Sequence, residues 1–272
     1  MNGFILKDET FRELSGFIYE KSGIFIPPSK KYLVENRLAK LIQDHKLNGY
    51  EDYLYLVKYS SNGNELARLF DAITTNETYF FREPHHFEAL AGEIIPGILK
   101  ARAGAVRIWS AACSTGEEAY TIVMLLKEKM PNVQAEVRAS DISQATLASA
   151  KRGLYNSYSV RNAPEAYLRK YFRKHGQETY ELDEAIRSRV RFRNINLMDR
   201  SGPGQVGAVD VIFCRNVLIY FDEKAKKTAV SGLYDALRPG GYLFIGSSES
   251  LHSVTRAFKP VSINKTVAYQ KV

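Results

Sequence analysis

Apolar positions along this chain follow two rhythms, and the change falls near residue 104. Before it they recur every three or four residues. "DETFRELSGFIYEKSG" (8 to 23) places Phe11, Leu14, Phe17 and Ile18 on one face of a helix. Asp8 or Thr10 is its expected N-cap, and Gly23 its stop. "PPSKKYLVENRLAKLIQDHKLNG" (27 to 49) gathers Leu33, Val34, Leu38, Leu41 and Ile42 on one face and predicts a second helix closing at Gly49. "YEDYLYLVKYSSNG" and "NELARLFDAIT" continue the pattern as far as Thr74. Nothing here alternates as a strand does, so residues 1–80 predict a small helical domain.

After residue 104 short apolar runs alternate with helical stretches. "AVRIWSA" precedes the helical "EEAYTIVMLLKEKM", and "AEVRASDIS" precedes a helix from near Gln144. "VRFRNINL", "VDVIFCRNVLIYF", the helical "EKAKKTAVSGLYDAL", a turn at "RPGG" and "YLFIGSS" follow. Such alternation predicts an α/β fold, a mostly parallel sheet covered by helices. "AFKPVSINKTVAYQKV" closes the chain as two strands turning at "INK", an antiparallel hairpin. In "RSRVRFR" four arginines, Arg187, Arg189, Arg191 and Arg193, alternate with smaller or apolar residues. A strand buried on both faces does not carry such a row, so this one belongs at a sheet edge. The charged stretch 164–188 fits the rhythm poorly and reads as a small inserted subdomain within an α/β domain spanning 81–272.

Composition narrows this picture only in part. With 272 residues, 45% hydrophobic and 25% charged, the chain can bury a sizeable core. No apolar run approaches the roughly 18 residues that span a bilayer. The opening "MNGFILKDET" meets charge too soon for a secretory leader, so the expected location is cytoplasmic, without membrane insertion. Cys113 and Cys214 lack a metal-ligand spacing and read as small buried residues at strand ends. A net charge of +8 implies an acidic partner, whether nucleic acid, anionic lipid or a carboxylate-rich protein.

The chemistry concentrates in "RIWSAACSTGEEAYTI" (107 to 122), a strand, a one-glycine turn and a helix start. Such turns usually cradle phosphate against helix-start amides, and a pyrophosphate site calls for several glycines. Here Gly116 is followed at once by Glu117 and Glu118, which repel phosphate. A positively charged nucleoside without phosphate is not repelled, and S-adenosylmethionine is such a ligand. Asp141 ends the next strand, where acids bind ribose hydroxyls. Alternatively it only caps the following helix. At the next strand end Leu197 can cover adenine while Asn196 reads its edge, and Arg215 and Asn216 end the strand expected over the reactive centre. The Asn/Asp-Pro-Pro-aromatic motif of base amino-methyltransferases is missing there, where Cys214-Arg215-Asn216-Val217 stands.

Four motifs in order, "TTNETYFFRE" (74 to 83), "WSAACSTGEEAY" (109 to 120), "ASDIS" (139 to 143) and "FCRNVLIYF" (213 to 221), closely resemble the bacterial chemotaxis receptor methyltransferases, the CheR family. The resemblance covers nearly the whole chain. It implies a helical N-terminal domain and a Rossmann-like methyltransferase domain with a small β-insertion. It also implies transfer of a methyl group from S-adenosylmethionine to glutamate side chains on the cytoplasmic domain of chemoreceptors, leaving S-adenosylhomocysteine. Carried over by position, cofactor contacts fall on Asn76, Thr78, Arg82, Glu117, Asp141, Asn196, Leu197, Arg215 and Asn216. Arg82 and Tyr220 fall beside the transferred methyl. Tyr220 also admits a plain packing role.

Receptor methylation helices are rich in glutamate, so the basic positions Lys30, Lys31, Arg37 and Lys40 are expected to dock them. The other reading of that face is ordinary solvation. No metal is expected: His85 and His86 are adjacent, so on a helix they point apart, and methyl transfer needs none. Some family members grip a receptor tether through the insertion. The short, glycine-poor loop "RKHGQET" (173 to 179) argues against that here. A monomer without a nucleic-acid partner is expected. The competing readings are a nucleic-acid methyltransferase, favoured by net charge alone, and a non-catalytic sensor of the cofactor or its product.

Overall fold

The computed structural model describes residues 4–60, 63–199 and 201–272. The first three residues of the expected helical domain, the Ser61-Asn62 pair and Arg200 lie outside them. Four helices open the chain: α1 (Asp8–Ser22), α2 (Lys31–Asp44), α3 (Tyr50–Tyr59) and α4 (Asn64–Ile73). Their apolar faces meet in one core that includes Phe11, Leu14, Ile18, Leu38, Ile42, Tyr53 and Leu69. Two ends differ from expectation. Lys7, not Asp8 or Thr10, occupies the N-cap of α1, with Asp8 and Glu9 in the first turn where the helix dipole favours them. Helix α2 stops at Asp44, five residues before Gly49, because the chain turns at His45 and Lys46, the latter at φ 53°.

Ten strands follow: β1 (Val106–Ala111), β2 (Ala135–Asp141), β3 (Leu154–Asn156), β4 (Phe172–Lys174), β5 (Thr179–Leu182), β6 (Val190–Asn194), β7 (Val209–Phe213), β8 (Leu237–Phe244), β9 (Phe258–Ile263) and β10 (Thr266–Lys271). Seven form one sheet in the order β6-β2-β1-β7-β8-β10-β9. The pairs from β6 to β8 are parallel, and β10 runs antiparallel to both β8 and β9. The expected terminal hairpin is therefore present. Central β7 is buried at every position, as a strand with both faces covered must be. Strand β6 is the edge, and Arg191 and Arg193 are exposed on it. Arg187 and Arg189 are not part of that strand. Arg187 ends the short helix Glu184–Arg187, capped by the Asp183 carboxylate. The "RPGG" segment is likewise no separate turn: it lies inside β8, where a register irregularity against β7 between Val209 and Val211 absorbs the extra residues.

On β1 the side chains alternate between two cores. Val106 and Ile108 enter one, Trp109 and Ala111 the other. A helix from Pro84 to Ala101 covers the first face, as α5 (Pro84–Ala89), a π turn over Leu90–Ile94 and α6 (Ile95–Ala101). Helices α7 (Glu117–Lys129) and α8 (Gln144–Arg152) flank the next crossovers. A separate three-stranded sheet, β3-β5-β4, draws its first strand from ten residues ahead of the charged stretch at 164–188.

The helical domain is sewn to the sheet domain along α1's end. Ile24 and Phe221 form an antiparallel bridge, and the Phe25 amide donates to the Tyr220 carbonyl at 2.9 Å. Asn196 donates to the Lys21 carbonyl at 2.6 Å, and the Tyr19 hydroxyl donates to the Asp222 carboxylate at 2.9 Å. Gly23 makes this approach possible. It sits at φ 74°, and a Cβ there would meet Met198 Sδ at 2.6 Å. On α4's side, Asp71 accepts from the Ser143 hydroxyl at 2.7 Å. No helix among the described residues is long and apolar enough to cross a membrane.

Candidate active site

A cavity of about 250 Å³ lies where the order of strands reverses, at the carboxyl ends of β1, β2, β6 and β7. Its opposite wall comes from Ser22, Ile24 and Ile26 and from α2. Asn76, Thr78, Arg82, Asp141, Asn196, Leu197, Arg215, Asn216 and Tyr220 all reach its wall. Among the other expected residues the structure divides the set.

Glu117, expected as a cofactor contact, is not among the residues that line this cavity. Its side chain is buried beneath the turn (1% exposed) and accepts from the Thr115 hydroxyl at 2.7 Å. Burial pushes its carboxyl above the usual range. Successive helical residues point about 100° apart, so only one of the adjacent acids can face the cavity. That acid is Glu118. It accepts from Ser110 Oγ at 2.6 Å and from Arg215 Nη1 at 2.9 Å. The single glycine is explained by packing: Gly116 stands at φ 92°, and a Cβ would meet Ala150 and Tyr120 at 3.0 Å. The turn is closed for helix–strand packing and has no glycine-rich phosphate cradle.

Asp141 accepts the amides of Ser114 at 2.8 Å and Ser143 at 2.9 Å, tying the β1 and β2 turns together. Burial raises its carboxyl despite these bonds. It is not the cap of α8, because Ser143 is, accepting from the Thr146 amide. Asn196 spends its amide on the Lys21 carbonyl and its oxygen on the Met198 amide at 3.0 Å. Its side chain therefore helps hold the wall together, with one N–H and one lone pair still unused. Leu197 stays available as an apolar cover.

Arg215 is held as the centre of a buried cluster. Besides Glu118 it donates to Glu83 Oε2 at 2.9 Å and to the Arg82 carbonyl at 2.6 Å. Arg215 keeps Glu83 ionised against burial. His86, 2% exposed behind it, is held neutral, its basicity pushed down to about 3 by burial and then by Arg215. Its 3.4 Å approach to Glu83 is therefore no ion pair at neutral pH. Glu83, His85 and His86 bring potential ligand atoms within 4.8 Å of one another, but the Glu83 carboxylate is already committed to Arg215 and to the Ser247 amide.

At the rim, Arg82 donates to the Glu77 carbonyl at 3.0 Å and its guanidinium stands 5.7 Å from the Tyr79 ring centroid. Tyr220 ends the turn Leu218–Tyr220. Of the basic docking set, Lys30 is exposed at the rim and Lys40 is exposed on α2. Lys31 is paired with Asp8 at 2.6 Å. Arg37 donates to Thr75 Oγ1 at 2.8 Å and to the Ile73 carbonyl, so it fastens α2 to the segment that carries Asn76.

The sequence reading noted Glu118 in the loop but did not place it among the contacts, and it did not foresee the cluster around Arg215. It also missed the strained backbone. Phe81, Glu83, Ala112, Ser114 and Asn216 adopt positive φ between 51° and 59° without being glycine. Each costs on the order of 1–3 kcal/mol and is held by its surroundings, a pattern that gathers at functional sites.

The charges test what ligand fits. The cavity wall carries Lys30, Arg37, Arg82 and Arg215 alongside Glu77, Glu118 and Asp141, with Glu83 paired to Arg215 behind it. The Nε of Arg215 is buried with no protein acceptor. An amino-acid nucleoside, which carries a carboxylate as well as cationic groups, fits so mixed a lining.

A doubly wound sheet with such a cavity at its switch point defines a nucleoside-cofactor-binding α/β protein. The family model described as "CheR methyltransferase, SAM binding domain" matches residues 76–267, and that described as "CheR methyltransferase, all-alpha domain" matches 9–74. Chemotaxis protein methyltransferase 2 of Vibrio cholerae is 40% identical, covering 100% of this chain and 96% of its own. The chemotaxis protein methyltransferase Cher2 of Pseudomonas putida is 35% identical over 96% of this chain and 97% of its own. That of Borreliella burgdorferi is 38% identical over 92% and 91%. The chain belongs to the CheR methyltransferase family, and its cofactor is S-adenosylmethionine.

Proposed function

We propose that this protein methylates glutamate side chains on the cytoplasmic domain of chemoreceptors, forming methyl esters in chemotaxis adaptation. The observation that carries this reading is that Arg82 and Tyr220 share one cavity with the acids Asp141 and Glu118. When bound, S-adenosylmethionine supplies an electrophilic methyl group on a cationic sulfur. Asp141 would hold the ribose hydroxyls, Glu118 the amino group, and Leu197 would cover the base. Asn76 and Thr78 contribute from the neighbouring segment, and Arg215 and Asn216 close the far end. The acceptor carboxylate is ionised at neutral pH, since an ordinary glutamate has a pKa of about 4.3, so no general base is required. Arg82 strips water from that carboxylate and orients it, and the Tyr220 hydroxyl sets its angle. One carboxylate oxygen forms the new bond to carbon as the carbon–sulfur bond breaks.

We take the helical domain (1–80) and the α/β domain (81–272, with the insertion at 164–188) to act together as a cytoplasmic monomer without nucleic acid.

The test is transfer of radiolabelled methyl to membranes containing the cognate receptors. Alkali-labile label on receptor glutamates supports the reading. Alkali-stable label on nucleic acid overturns it, as does cofactor binding without any transfer. Arg82→Ala is expected to lower kcat by about 10²-fold, the cost of a lost orienting contact. Full turnover in that variant would remove Arg82 from the mechanism.

A further inference from the structure

Arg82 stands between two residues in left-handed backbone, Phe81 at φ 59° and Glu83 at φ 56°. Neither is glycine, so bonds from elsewhere in the fold must hold that conformation. One set comes from the α/β core. Thr121 Oγ1 accepts from the Phe81 amide at 3.2 Å, and Arg215 donates to the Arg82 carbonyl at 2.6 Å. A second set comes from the short helix Ser157–Val160, which directly follows β3. The Asn156 side chain fixes its start by accepting from the Ser159 amide at 2.9 Å. The Ser159 carbonyl then accepts from the Phe80 amide at 2.9 Å, and the Tyr158 hydroxyl donates to Glu77 Oε1 at 2.8 Å. Arg161 follows at once. Its guanidinium lies 3.6 Å from the Tyr79 ring centroid and 3.5 Å from that of Tyr158. Glu77, Tyr79 and Phe80 are thus each caught by a different group of this stretch. Arg82 joins the same arrangement, 5.7 Å from the Tyr79 ring and bonded to the Glu77 carbonyl. Two guanidinium groups share one ring, and of the two Arg82 lines the cavity.

We infer that Arg161 is a positioning residue for methyl transfer, fixing the Tyr79 ring and through it the Arg82 guanidinium. The inference rests on the function proposed above and deepens it. A long arginine side chain loses much rotamer freedom when it is ordered. A ring already held in place restricts the directions Arg82 samples before the acceptor arrives, so less ordering remains for the reaction itself. A planar guanidinium suits a place between two rings better than a compact ammonium does. Arg161 is itself exposed, so the core does not depend on it.

The experiment uses the full chain with receptor-containing membranes. It runs a double-mutant cycle of Arg161→Ala with Arg82→Ala, beside Arg161→Lys. Arg161→Ala alone is expected to lower kcat about fivefold, as loss of one cation–ring contact does. KM for the receptor, and affinity for S-adenosylhomocysteine by calorimetry, are expected to stay within twofold. In the Arg82→Ala background the same change is expected to cost less than twofold, because the two residues act as one unit. Arg161→Lys keeps a cation against the rings and is expected to recover part of the lost turnover. Unchanged kcat in Arg161→Ala overturns the inference. So does a further fivefold loss in the Arg82→Ala background, which would make the effect of Arg161 independent of Arg82. A matching fall in S-adenosylhomocysteine affinity also overturns it, by moving the effect to the cofactor. Absence of any label from the parent protein would instead defeat the proposed function.

Discussion

Arg215 bridges two glutamates and a carbonyl, so it couples Glu118 on the cavity wall to the backbone that carries Arg82. Truncating it would leave two half-buried carboxylates without that countercharge, a costly change. The adjacent acids offer a sharper test. Glu118→Gln is expected to weaken S-adenosylmethionine binding about tenfold, the order of one charge-assisted hydrogen bond. Glu117→Gln is expected to leave it within twofold. Calorimetric titration of both variants checks this, and the reverse order would restore Glu117 to the site. His86 gives a pH prediction. Folded, it stays neutral down to about pH 3 because of burial and the nearby Arg215, while the unfolded chain takes up a proton near 6.5. Between those values the unfolded state binds more protons, so stability falls as pH drops from 6.5 toward 3 and is unaffected at neutral pH. The slope can reach about 1.4 kcal/mol per pH unit. Glu83, Arg215 and His85 are the charged or titratable groups acting on it. His86→Leu is expected to flatten the acid limb of urea midpoints measured from pH 6.5 to 4.5. At this scale the strand-end positions of Asp141, Arg215 and Asn216 were legible, because sheet topology sends strand ends to one crevice. Which of two neighbouring glutamates turns inward was not, since helix α7 is buried nearly all round and the apolar pattern sets no polar face.

Elements were read well where burial is one-sided. The edge position of β6 followed from its arginines, and the closing hairpin from its alternation. Boundaries failed where tertiary contacts decide them. The Arg187 helix turns on the Asp183 cap, and β8 runs through "RPGG" because a bulge keeps it paired to β7. The seam between domains was not legible at all: its bonds join residues far apart in sequence, such as Tyr19 and Asp222, and the pattern along the chain is silent on such pairings. Asn196 was placed at the right wall, where it also serves the seam. Asn196→Ala removes a bond across the seam and leaves the Lys21 carbonyl without that donor. A loss of about 1 kcal/mol, hence a Tm lower by roughly 2–4 °C, is expected by calorimetric scanning. Cofactor affinity should fall along with it.

For the whole molecule, the net charge of +8 acquires direction only from the structure. Of four basic docking positions, Arg37 is spent on internal bonds and Lys31 is paired with Asp8, leaving Lys30 and Lys40 turned to solvent. Lys30→Glu and Lys40→Glu together are expected to lower kcat/KM for receptor fragments about tenfold at low ionic strength, with the gap closing as salt rises. S-adenosylhomocysteine affinity is expected to hold. Equal losses in both measurements would show that the charges act on the cavity and not on docking. The bridge between Ile24 and Phe221 has one more consequence. It closes within the chain itself, so the vessel is moulded before anything is poured into it. The Phe25 amide, bonded to the Tyr220 carbonyl, should exchange slowly with deuterium in ligand-free protein, and addition of S-adenosylhomocysteine should slow it little further.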